Sequence, residues 1–160
     1  ALQNALAALE NAKHGICYAS GLAATDALLK LFQPGDEIVA TNDLYGGTYR
    51  IFTKVFEGFG LTFRFVDLSD ASQMETVFSE KTKMLWLETP TNPLPRLIDV
   101  EAYAKAAKAR NVLTVVDNTF ASPYLQNPLD LGADIVMHSV TKYLGGHSDT
   151  VMGAIMLNDD

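Results

Sequence analysis

Seven short apolar runs, separated by stretches with helical patterning, limit what this chain can fold into. Gly15–Ala19, Glu37–Ala40, Thr62–Val66, Lys83–Leu87, Val112–Val116, Asp134–His138 and Thr150–Leu157 each read as a strand, since short apolar runs bounded by turn signals are the mark of buried strands. Helices are predicted between them over 1–13, 22–33, 48–58, 70–80 and 99–110, with Pro34-Gly35 and Gly58/Gly60 ending two of these. Residues 88–95 hold three prolines, which fix φ and remove backbone donors, so this stretch is a loop. A second proline-containing loop is predicted over 118–128. Near-continuous apolar strands alternating with helices specify an α/β fold: a mostly parallel seven-stranded sheet with helices on both faces. The connection at 142–149 is too short for a helical crossover of about ten or more residues, so the last strand is predicted to run antiparallel.

With 160 residues, of which 48% are hydrophobic and 19% charged, the chain can bury a real core and is not of disordered composition. A formal net charge of −7 offers no electrostatic footprint for nucleic acid or an anionic membrane. No apolar run approaches the roughly 20 residues of a membrane span, and no signal peptide is visible. The single cysteine, Cys17, excludes an intrachain disulfide framework and a Cys-rich zinc site. A cytoplasmic protein without a metal is the expectation. Residue 1 falls inside a helical pattern with no cap before it, and Asn158-Asp159-Asp160 follow directly on a strand. Residues 1–160 are therefore read as part of a longer protein.

In an open α/β sheet, ligands sit outside the carboxyl ends of the strands. The polar residues of interest fall there. Past the 134–138 strand come Ser139, Thr141, Lys142 and paired glycines. A lysine at the end of a buried strand is expected to be partly desolvated, which lowers its pKa and frees the amine as a nucleophile. With hydroxyls and backbone amides suited to a phosphate, this points to a Schiff-base lysine holding pyridoxal phosphate. Ser20-Gly21-Leu22 opens a helix whose first amides can receive that phosphate. Tyr45, in a glycine-bounded loop, could stack on a cofactor ring, and Asn92 could donate to a phenolic oxygen. Asp117 ends an apolar strand, where a carboxylate is costly unless paired. A protonated pyridine nitrogen would be such a partner. Taken singly, each has a plainer reading: a surface lysine, a common βα turn, a packed tyrosine, a loop-capping aspartate, a rigid turn. His138 and His147 lack a further His or Cys at ligand spacing and are read as structural, with Glu88 supporting the loop or Tyr45.

Five segments occur in order: Ser20-Gly-Leu-Ala-Ala24, Asp43-Leu-Tyr-Gly-Gly-Thr48, Glu88-Thr-Pro-Thr-Asn-Pro93, Val115-Val-Asp-Asn-Thr-Phe120 and His138-Ser-Val-Thr-Lys-Tyr-Leu-Gly-Gly-His-Ser-Asp149. Across nearly the whole chain they resemble the trans-sulfuration (Cys/Met metabolism) family of fold-type I pyridoxal-phosphate enzymes, especially the cystathionine γ-lyases and γ-synthases. The resemblance implies the family's large cofactor-binding domain over 1–160, with an N-terminal segment and a small C-terminal domain lying outside it. It implies Lys142 as the internal-aldimine lysine, Asp117 as the pyridine-nitrogen partner and Tyr45 as the stacked ring. The backbone of Gly21 and Leu22 with the hydroxyls of Ser139 and Thr141 would form the phosphate cup. Leu22 stands where many relatives have methionine, a change of little weight for an amide contact. Gly47 stands where methionine γ-lyases usually carry cysteine, and Ser148 departs from their usual glycine, which demotes that activity.

The implied reaction is cleavage of cystathionine to cysteine, 2-oxobutanoate and ammonia, with γ-replacement on an activated homoserine as the alternative. A homodimer or homotetramer is implied, because in this family each subunit lends a tyrosine and an arginine to its neighbour's phosphate. The arginine that holds the substrate carboxylate belongs to the C-terminal domain. Two other classes compete. A Rossmann dinucleotide enzyme would show Gly-x-Gly-x-x-Gly after the first strand, which is absent. A binding-only domain would keep the cofactor without turnover.

Overall fold

In the computed structural model, which describes residues 1–70, 74 and 76–159, the apolar runs become the strands of one sheet. In chain order these are β1 (His14–Tyr18), β2 (Glu37–Thr41), β3 (Thr62–Val66), β4 (Thr82–Glu88), β5 (Leu113–Asp117), β6 (Ile135–Ser139) and β7 (Gly153–Leu157). Across the sheet the order is β1-β7-β6-β5-β4-β2-β3. The pairs β2–β3, β2–β4, β4–β5 and β5–β6 are parallel, while β7 runs antiparallel to both its neighbours, β1 and β6. The six other strands thus share one direction and end at one edge. The seven strands and the antiparallel last one agree with the sequence reading.

Side chains alternate across each strand, so each face has its own core. On one face Ile38, Ala40, Met84, Trp86, Val115, Ile135, Met137 and Ile155 pack beneath α2 (Gly21–Leu29) and α3 (Gly46–Lys54). On the other, Leu85, Leu87 and Val116 meet α4 (Val100–Lys108), while Val136, Ala154 and Met156 meet Leu6 of α1 (Leu2–Leu9). α4 shows why such segments are helical. Val100, Tyr103, Ala104 and Ala107 form its buried i, i+3, i+4, i+7 stripe, and Asp99 caps it by accepting from the Ala102 amide at 3.0 Å.

Element ends differ from expectation more than element types do. α1 stops at Leu9, α2 at Leu29 and α3 at Lys54, with a short 3₁₀ turn at Phe56–Phe59 completing the expected 48–58 helix. β7 begins at Gly153 instead of residue 150, because the Thr141 hydroxyl holds the Met152 backbone by two hydrogen bonds and Val151 lines the cleft described below. The predicted 118–128 loop contains one turn of helix, α5 (Ser122–Leu125), whose Pro123 fits a helix start. The helix expected over 70–80 falls on a stretch whose residues 71–73 and 75 lie outside the described set. Among the described residues, no helix is long and apolar enough to cross a membrane.

Candidate active site

The carboxyl ends of β4, β5 and β6 open into a cleft of about 460 Å³. Gly21, Leu22, Tyr45, Asn92, Asp117, Ser139, Thr141 and Lys142 all line it, brought together from five segments of the chain. Thr48, Glu88, Thr119, Phe120 and Val151 line it as well.

One wall is the start of α2. Ser20 caps the helix, its hydroxyl accepting from the Ala23 amide at 3.0 Å, so the amides of Gly21 and Leu22 in the first turn have no helical acceptor. Gly21 is required by proximity: a Cβ there would lie 2.9 Å from the Cβ of Ser139, so any side chain would push the helix start away from β6. Thr141 Oγ1 donates to the Met152 carbonyl at 3.2 Å and accepts from the Met152 amide at 3.0 Å. Its hydroxyl proton is thus already engaged.

The floor is made of carboxyls. Glu88 and Asp117 are directly opposite one another in the β4–β5 register and project on the same face. Thr119 serves Asp117 twice at Oδ1, through its amide at 3.1 Å and its hydroxyl at 2.5 Å. Burial pushes the Asp117 carboxyl up, against these bonds and the nearby His138 ring. Glu88 is pushed up to about 9, chiefly by burial and then by the charge of Asp117. Its Oε2 accepts from the Tyr45 amide at 2.8 Å, which ties the floor to the tyrosine as the sequence suggested. The Tyr45 ring lies over Gly47, where a Cβ would fall 2.3 Å from the ring.

Lys142 follows β6 in a turn closed by its own amide to the Ser139 carbonyl at 3.0 Å and by Gly146 to the Lys142 carbonyl at 2.8 Å. The side chain lines the cleft but is exposed, which corrects the expected partial desolvation: the glycine turn carries it beyond the strand end into the open mouth. Asn92 is half-buried in a loop anchored by Asp43, which accepts from Thr91 Oγ1 at 2.5 Å and from the Leu94 amide at 3.0 Å. His147 is exposed, whereas His138 is buried on the opposite face of the sheet from Asp117 and hydrogen-bonds Glu10 at 2.5 Å.

Sequence reasoning missed Thr119 and Glu10. The Asp-x-Thr spacing was the available signal for the first, because an aspartate commonly bonds the backbone two residues on. For Glu10 the signal was its i+4 spacing from Leu6 on a stripe meant for the core. Among the described residues, no group of three or more His, Cys, Asp or Glu could hold a metal.

Comparison with known proteins supplies the family. The chain is 52% identical over 160 residues to the cystathionine gamma-lyase of Dictyostelium discoideum, covering all of this chain and 41% of that protein. It is 50% identical to a probable cystathionine gamma-synthase of Herpetosiphon aurantiacus, covering all of this chain and 50% of that one. The crystal structure of cystathionine gamma-lyase from Lactobacillus plantarum complexed with L-serine superposes with a TM-score of 0.97 at 47% identity, over 99% of this chain and 42% of that one. The chain therefore spans about half or less of the length of these relatives. A model of the family described as "Cys/Met metabolism PLP-dependent enzyme" matches residues 1–160. With that match over its whole length, the chain belongs to the Cys/Met metabolism family of pyridoxal-phosphate-dependent enzymes.

Proposed function

We propose that this chain is the cofactor-binding domain of a longer trans-sulfuration enzyme, a carbon–sulfur lyase that cleaves cystathionine to cysteine, 2-oxobutanoate and ammonia. The observation that carries the reading is the convergence of Lys142, Asp117, Tyr45 and the α2 start on one cleft. The donor set fits pyridoxal phosphate. Gly21 leaves a cradle that a Cβ would fill, with unpaired helix-start amides for a phosphate. Asp117 is a buried carboxyl that no cation among the described residues pairs with on its own face, suited to a pyridine N–H.

When bound, the cofactor supplies an electron sink for a carbanion at the substrate's Cα. The Gly21 and Leu22 amides with the Ser139 hydroxyl would hold its phosphate, and the Thr141 hydroxyl would join them on giving up its bond to the Met152 carbonyl. Asp117 would keep a proton on the ring nitrogen, and Asn92 would donate to the ring oxygen. Tyr45, whose ring Gly47 leaves room for, would stack on the cofactor ring. Lys142, lining the cleft mouth, would hold the cofactor's aldehyde group. Its amine, exposed at the cleft mouth, would be the base that takes the substrate's Cα proton and returns it.

The name of the Herpetosiphon relative favours a second reading, γ-replacement on an activated homoserine. A turnover assay on cystathionine, with and without added cysteine, separates the two. We place the substrate-carboxylate clamp outside these residues and take the assembly to be a cytoplasmic homodimer or homotetramer. The exposed ring of Tyr143 (64%), 6.2 Å from that of the cleft-lining Phe120, supports an interface near the cleft. By itself, the 160-residue chain should then bind cofactor weakly and release negligible 2-oxobutanoate. Borohydride reduction of the cofactor-loaded protein followed by peptide mapping tests the reading. A label on Lys142 is expected, and one on Lys54 or Lys105 would overturn it.

A further inference from the structure

Glu10 is fully buried at the carboxyl end of α1, on the face of the sheet away from the cleft. This is an unfavourable address for a carboxylate, which is desolvated there and sits at the negative end of a helix dipole. An apolar residue would continue the stripe begun by Leu6. Glu10 is instead surrounded by donors. Asn118 Nδ2 reaches Oε1 at 2.7 Å, His138 Nε2 lies 2.5 Å from the same oxygen, and Asn127 Nδ2 reaches Oε2 at 3.2 Å.

The important partner is Asn118, because its side chain is saturated. It also donates to the Gln126 carbonyl at 2.8 Å and accepts from Gln126 Nε2 at 3.0 Å, while its backbone amide reaches the Met137 carbonyl at 3.0 Å. Its two chain neighbours face the cleft: Asp117 on one side, and on the other Thr119, which holds Asp117 Oδ1 and accepts from the Ser139 amide at 2.9 Å. One turn thus has its back fixed by Glu10 and its front carrying the carboxyl assigned to the ring nitrogen. His138 offers a parallel route, lying between Met137, which is paired with Asp117, and Ser139 of the phosphate wall.

We propose that Glu10 is a positioning residue for Asp117, acting through Asn118 and His138 from the opposite face of the sheet. The inference rests on the assignment of Asp117 to the cofactor's ring nitrogen. It explains why a costly buried carboxylate occupies a place where leucine would pack. The proximity of His138 to the Asp117 carboxyl, which it helps to hold down against burial, agrees with this placement.

The test is a double-mutant cycle on pyridoxal-phosphate affinity, using the whole protein that carries this chain after removal and re-addition of cofactor. Glu10→Gln keeps the shape and removes the charged acceptor. It should weaken binding about tenfold in the native background, and by less than about twofold in Asp117→Asn. Equal losses in both backgrounds, with a lowered melting temperature, would show that Glu10 serves the fold alone. If Glu10→Gln does not fold, Gln126→Ala, which loosens Asn118 from its other side, runs the same cycle: a smaller loss confined to the native background supports the link, and equal losses refute it. Native affinity in both of these single variants overturns the proposal. If Asp117→Asn itself binds as tightly as the native protein, the assignment of Asp117 fails, a result distinguishable from failure of the Glu10 link.

Discussion

At the amino-terminal edge of the sheet, Glu37 is met by Arg64, Ser79 and Thr82, and Arg64 also donates to the Val77 carbonyl. Burial alone would raise this carboxyl, but the Arg64 bond and the two hydroxyls outweigh it and hold the group below its usual range. At the carboxyl edge, one strand over, Glu88 faces Asp117, and both carboxyls are driven upward. The same sheet therefore completes its charges at one end and leaves two acids competing at the other. The satisfied end stabilises the fold. The unsatisfied end stays open to a cation or a proton supplied by a ligand, as perturbed carboxyls at functional sites commonly do.

The largest effect that would sharpen this contrast is at the open edge. Lys142→Ala in the whole enzyme should cut cystathionine turnover by about 100- to 10,000-fold, the range for a lost general base, and leave no residue for borohydride to label. Retained labelling would break the assignment. Asp117→Asn should follow, losing about 10- to 150-fold in turnover, equivalent to the 1.5–3 kcal/mol of a charge-assisted hydrogen bond. A variant within twofold of native would mean that the carboxylate serves the Thr119 turn alone.

Glu88→Gln is the informative middle case. A carboxyl raised in the folded state favours the fold at low pH, and that contribution is lost as pH rises from the ordinary carboxylate range toward about 9. Glutamine removes this loss, so the cofactor-free variant should hold its melting temperature better than native at alkaline pH, while keeping the Tyr45 amide bond. An unchanged pH profile would show that Glu88 ionises freely.

Glu37→Gln should do the reverse at the closed edge. The depressed carboxyl contributes stability above its unfolded pKa that is lost as pH falls through the folded value. The variant should be about 1 kcal/mol less stable near neutrality, discounted for partial exposure, and no different in strong acid. Smallest is Lys30→Ala, which breaks the exposed i,i+4 pair with Asp26 and should cost about 0.5 kcal/mol or less in urea unfolding.

What the sequence makes legible is local. Val112–Val116 and Lys83–Leu87 announce themselves because a strand buried on both faces has little room for polar residues. Ser20-Gly21 and Asp117 are legible as strand-end chemistry for the same reason. Lys142's exposure is not, since it depends on how the Gly145-Gly146 turn leaves β6. Nor is what Glu10 meets: its spacing from Leu6 signals burial, but its partners Asn118 and His138 lie 108 and 128 residues away. The early start predicted for β7 fails because a β-prone Thr-Val-Met run is diverted to wall the cleft beside Thr141.

The pairing of β1 with β7 also sets an order of assembly. Lys13 and Asn158, hydrogen-bonded at 2.9 Å, are 145 residues apart, so the earliest strand has its neighbour only when the latest has been made. Each doubling of such a loop adds just about 0.6 kcal/mol of closure entropy, so the cost falls mainly on time. The parallel strands β2 to β6 can join as they emerge from the ribosome, while β1 waits and β6 presents an unpaired edge, a state open to wrong partners. Gly153 of β7 then comes so close to the Ser20 carbonyl that a Cβ would lie 2.1 Å from it. The start of α2 is therefore set only when β7 docks, and a nascent chain becomes able to take its cofactor only after β7 has been made.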